Sequence, residues 1–193
     1  MPYRETIFKA HNYFHIFCRG NDKRDIFLDP SDYERFLSRM SKYRRLQQIS
    51  IICYCLMPNH FHFLLRQDTS KSISYFMHKL MVSYAMYFNK RYQKTGHLFE
   101  SSFKARFINN DEYLLHLSRY IHLNPLKMLG AQMKVETYPW STYLEYLNNK
   151  KGICKKEIIL QQFNFPNHIE GYRDFVNETS MSGNIDIIVL ENF

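Results

Sequence analysis

Two histidines, His60 and His62, are the residues of this chain whose type and spacing most directly suggest chemistry, and they lie in an apolar run. On a β-strand, side chains alternate between the two faces, so both imidazoles would project from one face, about 6–7 Å apart. Two imidazoles at that separation can bind one cation, and the strand would hold them rigidly. Half-buried histidines without any ligand are the competing explanation, because so short a motif is common.

A tyrosine and an amide form a second group with the spacing of one helical turn. Tyr120 and Asn124 are four residues apart, so on a helix they share one face. With His60 and His62 they would offer a metal site that has an amide oxygen as third ligand and a hydroxyl nucleophile beside it. Such a site keeps positions open for water or a phosphate oxygen, as a catalytic metal requires. Spacing alone also permits packing roles, because the chain has 15 tyrosines and Asn124 could simply end its helix.

The periodicity of apolar residues predicts the strands and helices that must position these groups. We predict strands at residues 12–18, 50–57, 60–66 and 103–108, with a turn at residues 58–59 before the histidines. We predict helices from about residue 30 to 48, 72 to 92 and 112 to 123, with Gly96 ending the second and Pro125 the third. The candidate N-caps are Asp29 or Ser31, Ser70 or Ser72, and Asn110 or Asp111.

This order of elements predicts an α+β fold. It is a ferredoxin-like βαββαβ antiparallel sheet with an added helix, in which the two histidines lie on a central strand and the Tyr120 helix lies beside the sheet. After Gly130 the character of the sequence changes, so we predict a domain over residues 1–130 and a C-terminal helical extension and tail over residues 131–193. Short helices are predicted near residues 138–143, 156–163 and 171–177, and the apolar run at 185–190 fits either an edge strand or a flexible end.

Composition narrows the class of partner. The net charge of +8 favours a polyanion, nucleic acid before membrane, and the 17% aromatic content supplies rings that could stack on bases. Cys18, Cys53, Cys55 and Cys154 lack metal-ligand spacing, so we expect reduced thiols. Neither a signal peptide nor a membrane-spanning run is evident, so we expect a soluble protein of the cytoplasm, associated with the nucleoid.

Lysines and arginines at three places are candidates to neutralise the phosphates of a nucleic acid, although a solvated surface charge is the simpler explanation of any one of them. They are Arg19, Lys23 and Arg24 after the first strand, Lys90, Arg91 and Lys94 at the end of the second long helix, and Lys104 and Arg106 on the fourth strand.

Three sequence blocks together carry a resemblance to a known family. They are MPNHFH at residues 57–62, GHLF at 96–99 and SRYIHLNP at 118–125. In this order and spacing they resemble the single-tyrosine HUH transposases, and most closely the REP-associated tyrosine transposases of bacteria, over about residues 8–130. The segment YPWSTY at residues 138–143 also resembles one that often follows the catalytic core in that branch.

The resemblance implies a role for each candidate residue. His60 and His62 would be the metal-binding pair of the HUH motif, Tyr120 the nucleophile, and Asn124 the polar residue that completes the metal shell. The implied cofactor is a divalent metal ion, Mg²⁺ or Mn²⁺. Insertion-sequence members often have Gln in place of Asn124, so the Asn fits the REP-associated branch and weakens the case for autonomous transposition. His122 points away from Tyr120 on a helix and is interpreted as a packing residue or a DNA contact.

The implied reaction is cleavage and joining of single-stranded DNA through a 5′-phosphotyrosine intermediate. The implied substrate carries a hairpin, as at a repetitive extragenic palindrome, and the enzyme would act as a monomer or a homodimer. Two alternatives stay open: a ferredoxin-like nucleic-acid binding protein without catalysis, and a metal-dependent hydrolase that uses water instead of Tyr120. The sequence also leaves open whether Tyr120 acts in its own subunit or in a partner's.

Overall fold

A computed structural model describes residues 6–129, 134–148, 152–164 and 166–178 of this chain. Four strands and six helices follow one another in the described residues, and the long helices pack on the sheet formed by the strands. In chain order they are β1 (Tyr13–Arg19), α1 (Pro30–Gln47), β2 (Ile49–Met57), β3 (His60–Gln67), α2 (Ile73–Tyr92), β4 (Lys104–Ile108), α3 (Asp111–Leu129), α4 (Tyr143–Leu147), α5 (Glu157–Leu160) and α6 (His168–Asn177). Short 3₁₀ turns lie at Asn21–Lys23 and Val135–Thr137.

The four strands form one antiparallel sheet in the order β2-β3-β1-β4. The strand with the two histidines, β3, is therefore central, between β2 and β1. The prediction of an α+β fold built on a ferredoxin-like antiparallel sheet is confirmed, and so is the position of each predicted strand to within about two residues. A central strand is bonded on both sides, so it gives its side chains the rigid mounting that a catalytic site needs.

The side chains of β3 divide between two cores because they alternate between the faces of the sheet. Phe61 and Phe63 point to the layer of α1 and α2, where their ring centroids lie 5.5 and 6.2 Å from that of Phe36. Leu64 points to the other face, which α3 and the C-terminal helices cover. His60 and His62 share the face of Leu64, so the catalytic candidates lie under α3.

The helix starts follow the predicted capping chemistry. Asp29 forms a capping box with Asp32, and Pro30 occupies the first turn of α1. Ser72 caps α2 by accepting from the backbone N–H of Ser74, and Asn110 accepts from the backbone N–H of Tyr113 at the start of α3. Each cap is one of the two candidates that the sequence offered for its helix.

The helix α2 ends at Tyr92 as predicted, although Gly96 is not the residue that ends it, and the predicted end of α3 is wrong. Gln93, in the left-handed conformation at φ 52°, ends α2, and its N–H bonds to the carbonyl of Asn89; Gly96 also has positive φ but lies in the following loop. Pro125 does not end α3, which continues to Leu129. A proline in a helix interior costs about 3 kcal/mol because it removes a backbone hydrogen bond and crowds the preceding turn. Pro125 is buried and Leu126 packs on the core beneath α3, so tertiary packing outweighs this cost.

The described residues after 133 cover the outer edge of β2. The backbone N–H of Leu56 bonds to the carbonyl of Trp140, and the hydroxyls of Tyr138 and Tyr146 donate to the carbonyls of Leu56 and Ile52. Short helices occur close to the predicted ones, whereas the run at residues 185–190 lies outside the described residues. Among the described helices, none is long and apolar enough to cross a membrane.

Candidate active site

His60 and His62 lie side by side on the face of β3 that α3 covers. Their ring centroids are 5.1 Å apart and the ring planes are nearly perpendicular, at 86°. His62 is fully buried, whereas His60, at the start of the strand, is half-buried. The alternation of a strand therefore brings the two imidazoles together as the sequence predicts, with His60 nearer to solvent.

His60 contacts an amide oxygen on each side of its ring. Its Nδ1 lies 2.6 Å from Oδ1 of Asn59, and its Nε2 lies 3.1 Å from Oδ1 of Asn124. A neutral imidazole carries only one N–H, so it can donate to only one of these oxygens. When Asn59 receives that proton, the lone pair of Nε2 faces the Asn124 oxygen, an arrangement that a cation between the two atoms would favour.

The same two atoms have the spacing of metal ligands. Two atoms that bind one ion at right angles, each at about 2.1 Å, lie about 3 Å apart, close to the separation of His60 Nε2 and Asn124 Oδ1. The Nδ2 atom of Asn124 is buried and has no hydrogen-bond partner among the described residues, so no hydrogen bond from Nδ2 there would turn the amide oxygen away from His60. In the described part of the chain, no group of three or more His, Cys, Asp or Glu side chains is arranged so that it could hold a metal ion.

A third histidine, His15, fixes the ring of His62. His15 Nε2 lies 2.9 Å from His62 Nδ1, and the two rings stack at 5.1 Å with an interplanar angle of 19°. When His62 donates its Nδ1–H to His15, the lone pair of Nε2 remains available for a metal, which is the usual arrangement of a ligating histidine. Sequence reasoning missed His15. Its partner lies on another strand, and only the antiparallel pairing of β1 with β3 brings the two rings together.

The three imidazoles are held in the neutral form that metal binding requires. Burial, with a smaller effect from the charge of Arg106, lowers the pKa of His15 to about 3. Burial lowers the pKa of His62 well below its ordinary value, and repulsion from Lys127, and from His60 and His15 whenever these are protonated, adds to this. Burial also lowers the pKa of His60, although the contact with Asn124 opposes the shift.

Tyr120 lies on α3 directly against the histidine pair. Its ring is edge-on to that of His62 at 5.4 Å and to that of His15 at 6.2 Å. The Nζ of Lys127 lies 4.4 Å from the centroid of the Tyr120 ring. The structure thus brings His60, His62, Tyr120 and Asn124 together, as the motifs predict. It adds Lys127, which sequence reasoning missed because Pro125 was expected to end the helix.

His122 points away from this group, as helical geometry predicts. It is fully buried, its Nδ1 lies 2.7 Å from the hydroxyl of Tyr172, and its Nε2 lies 2.9 Å from Oγ1 of Thr142. Burial lowers the pKa of His122 to about 3. It is a packing residue, and a direct contact with DNA is excluded by its burial.

The eight cations predicted to bind DNA are not brought to one place. Arg19, Lys104 and Arg106 lie on the sheet face of the histidine pair, because they are in register with His60, Phe17 and His15. The others lie in the loop after β1 (Lys23 and Arg24) and around the end of α2 (Lys90, Arg91 and Lys94).

Some of these eight cations have partners within the chain. Arg24 donates to the carbonyl of His97. Arg19 forms an ion pair with Glu100 at 3.5 Å, and Arg91 forms ion pairs with Asp29 at 3.4 Å and Asp32 at 3.5 Å. Lys104 is exposed and lies on the edge strand β4.

Comparisons with known proteins bear on the family and the fold of this chain. The family model described as IS200-like transposase matches residues 8–124, and no curated protein sequence matches. The structure of a REP-associated tyrosine transposase bound to a REP hairpin superposes with a TM-score of 0.64 at 18% identity, covering 76% of this chain and 86% of that one. A candidate transposase from Deinococcus radiodurans R1 superposes with a TM-score of 0.43 at 14% identity, covering 63% of this chain and 95% of that one. The first of these structures shows that the two chains share a fold.

Proposed function

This chain belongs to the IS200-like transposase family, as its sequence motifs predict, and we propose that it cleaves and rejoins single-stranded DNA through a covalent bond to Tyr120. The observation that carries the proposal is the position of the Tyr120 ring, 5.4 Å from that of His62, beside the contact of His60 with Asn124. A nucleophile and a set of metal ligands within one small site are the components that phosphoryl transfer requires.

We propose that His60 Nε2, His62 and Asn124 Oδ1 hold a divalent metal ion, Mg²⁺ or Mn²⁺. When bound, such an ion polarises a phosphate oxygen and neutralises charge that develops during the reaction. Two neutral nitrogen ligands and one amide oxygen suit this role because they do not fill the coordination shell. His15 supports the set by holding the His62 ring, since their nitrogens lie 2.9 Å apart.

The proposed step is a transesterification in which atoms and charge balance. The Tyr120 oxygen bonds to phosphorus, the bond from phosphorus to the 3′ oxygen breaks, and the phenol proton is finally carried by the released 3′-hydroxyl. The phosphate stays on Tyr120 as a 5′-phosphotyrosine, which conserves the bond energy, so the reverse step rejoins a 3′-hydroxyl without ATP. Packing of Tyr120 edge-on against His62 and His15 orients the attacking ring.

We propose hairpin-bearing single-stranded DNA as the substrate. The REP-associated transposase that shares this fold is bound to a REP hairpin, and this chain carries a net charge of +8. Arg19, Lys104 and Arg106 would contact the strand nearest the site, because they lie on the same sheet face as the histidine pair. Lys23, Arg24, Lys90, Arg91 and Lys94 are proposed as more distant contacts.

We also propose that Tyr120 acts in its own subunit. Its ring already lies 5.4 Å from that of His62 of the same chain, so no partner helix is required to complete the site. A monomer would then be competent for cleavage.

A denaturing gel tests the proposed function. Hairpin DNA from the palindromes that flank the gene is labelled at its 3′ end and incubated with protein and Mn²⁺ or Mg²⁺. A 5′-phosphotyrosine would retain the 3′ label in a slow, denaturant-resistant band, whereas a 5′ label would be released on a short fragment. Tyr120→Phe should abolish the band and keep DNA affinity within about twofold, since it removes one oxygen. Tyr113→Phe, on the same helix, is the matched control and should leave the band unchanged.

The other outcomes separate the alternatives. A covalent band that persists in Tyr120→Phe would sink the assignment of the nucleophile. Cleavage by wild-type protein without any covalent band would favour a hydrolase that uses water. Binding to every hairpin tested, with neither cleavage nor a band, would favour a binding protein without catalysis.

A further inference from the structure

Lys127 lies on the same stripe of α3 as the proposed nucleophile and metal ligand. At 100° per residue, positions four and seven after Tyr120 lie about 40° and 20° to either side of it, so Asn124 and Lys127 point the same way. The continuation of α3 through Pro125 is what makes this stripe possible, because a helix that ended at the proline would leave Lys127 in a loop.

The contacts of Lys127 place its charge at the reacting group. Its Nζ lies 4.4 Å from the centroid of the Tyr120 ring. The same positive charge contributes to the lowered pKa of His62, so the ammonium lies near both the nucleophile and the histidine pair. The side chain is exposed, so a strand of DNA that reaches Tyr120 from solvent would also reach Lys127.

We propose that the Lys127 ammonium binds a non-bridging oxygen of the phosphate that Tyr120 attacks, and that Lys127 is therefore a further catalytic residue. This inference rests on the proposed function. Negative charge on the phosphate oxygens is concentrated while the bond from Tyr120 forms and the bond to the 3′ oxygen breaks, and a fixed cation there stabilises the transition state. Rejoining passes through the same transition state, so Lys127 would serve both directions.

A second lysine of this chain provides a matched control. The Nζ of Lys79 lies 5.2 Å from the centroid of the Tyr75 ring on α2, in the helix layer on the other face of the sheet. Lys79 thus makes the same kind of contact with a tyrosine ring, far from the histidine pair. Its replacement measures what the loss of a lysine over an aromatic ring does when no phosphate is attacked nearby.

The experiment compares Lys127→Met, Lys127→Arg and Lys79→Met with wild-type protein under single-turnover conditions. The measured quantity is the rate of covalent band formation at saturating DNA and metal. Lys127→Met should lower this rate about 100-fold, as loss of one charge-stabilising donor does in other enzymes. Lys127→Arg, which keeps the positive charge, should stay within about tenfold of wild type. Lys79→Met should leave the rate unchanged.

DNA in which only the scissile linkage is uncharged distinguishes a phosphate contact of Lys127 from a structural role of this side chain. With a methylphosphonate in place of the scissile phosphate, the non-bridging charge is gone, so Lys127→Met and wild type should differ by less than about threefold. In addition, the negative slope of log K against log salt for binding unmodified DNA should become shallower by about 0.7 in Lys127→Met, the value for one lost phosphate contact on a single strand.

Two results would overturn the proposal for Lys127. One is an unchanged rate in Lys127→Met. The other is an equal loss of rate on unmodified DNA and on DNA with the methylphosphonate at the scissile position, which would assign the lysine to packing of Tyr120. If wild-type protein forms no covalent band with unmodified DNA, the proposed function itself fails. That result is distinct from both of these, because each of them requires an active wild type.

Discussion

Two buried tyrosines that differ in one hydrogen-bonding property allow a sharp test of how the C-terminal residues hold α3. Tyr172 and Tyr143 are both fully buried, and their ring centroids are 6.4 Å apart. The hydroxyl of Tyr172 lies 2.7 Å from Nδ1 of His122 and 3.0 Å from Oγ of Ser118, two residues of α3. The hydroxyl of Tyr143 has no hydrogen-bond partner among the described residues.

Replacement of each tyrosine by phenylalanine removes one oxygen and preserves the packed ring. In Tyr172→Phe, a buried nitrogen of His122 loses its partner, and a buried polar group without a partner costs about 1–3 kcal/mol. We therefore expect Tyr172→Phe to lower the free energy of unfolding by about 2 kcal/mol. Tyr143→Phe removes a hydroxyl that is buried without a bond, so the free energy of unfolding should stay unchanged or rise by up to about 1 kcal/mol.

Urea denaturation of the full chain, followed by far-UV circular dichroism at neutral pH, measures both values. The slope of the free energy against urea should be the same in wild type and both variants, because the exposed surface does not change. A single transition in all three proteins would indicate that residues 134–178 unfold together with the sheet.

A stabilising role of the Tyr172 hydroxyl would be refuted if the two substitutions changed the free energy of unfolding equally, or if Tyr143→Phe were the more destabilising of the two. Either result would mean that the hydrogen-bonded hydroxyl of Tyr172 stabilises the protein no more than the hydroxyl of Tyr143 does. The contact between His122 and Tyr172 would then have no measurable role in attaching α6 to α3.

Two further predictions concern histidines. His15→Ala removes the partner of His62 Nδ1 and should raise the metal concentration required for half-maximal covalent band formation about 10–100-fold, whereas His15→Gln, which keeps an acceptor, should raise it less. A metal titration of each variant measures this concentration, and equal values in wild type and His15→Ala would contradict the prediction. Burial lowers the pKa of His122 to about 3 from an ordinary 6.5, so between these values only the unfolded chain takes up the proton, and the free energy of unfolding falls as the pH falls. From pH 7 to pH 5 the loss should be about 2 kcal/mol for this histidine. Urea denaturation at both pH values should show that His122→Asn lacks this part of the loss, and an unchanged pH dependence would contradict the assignment.

The parts of the site that the sequence predicts are those that depend on local periodicity. His60 and His62 share a face because strand side chains alternate, and Tyr120 and Asn124 share a face because they are one helical turn apart. The geometry within each pair follows once the segment is known to be a strand or a helix, and the apolar pattern predicts which of the two it is. The contact between the two pairs depends on the packing of α3 on the sheet, which residue spacing does not predict and which the resemblance to a family implied.

The residues that sequence reasoning missed depend on longer-range structure. His15 meets His62 only through the register of β1 with β3, in which Phe17 is opposite His62, and no local pattern specifies that register. Lys127 was missed because a proline normally ends a helix. Here the burial of Pro125 and the packing of Leu126 keep α3 helical, and both depend on tertiary structure that a local rule does not consider.

The helix α3 uses polar side chains on two opposite faces, and this arrangement links the C-terminal residues to the chemistry. One face carries Tyr120 and Asn124 toward the histidine pair. The other carries Ser118 and His122, also one turn apart, toward Tyr172 of α6. An apolar contact on that second face would tolerate small rotations of the helix, whereas directional hydrogen bonds to buried atoms would not. A rotation of 20° about the helix axis would move the Tyr120 hydroxyl by more than about 2 Å, enough to lose its alignment with a phosphate. The buried contacts of His122 would therefore hold the helix in the orientation that the proposed attack by Tyr120 requires.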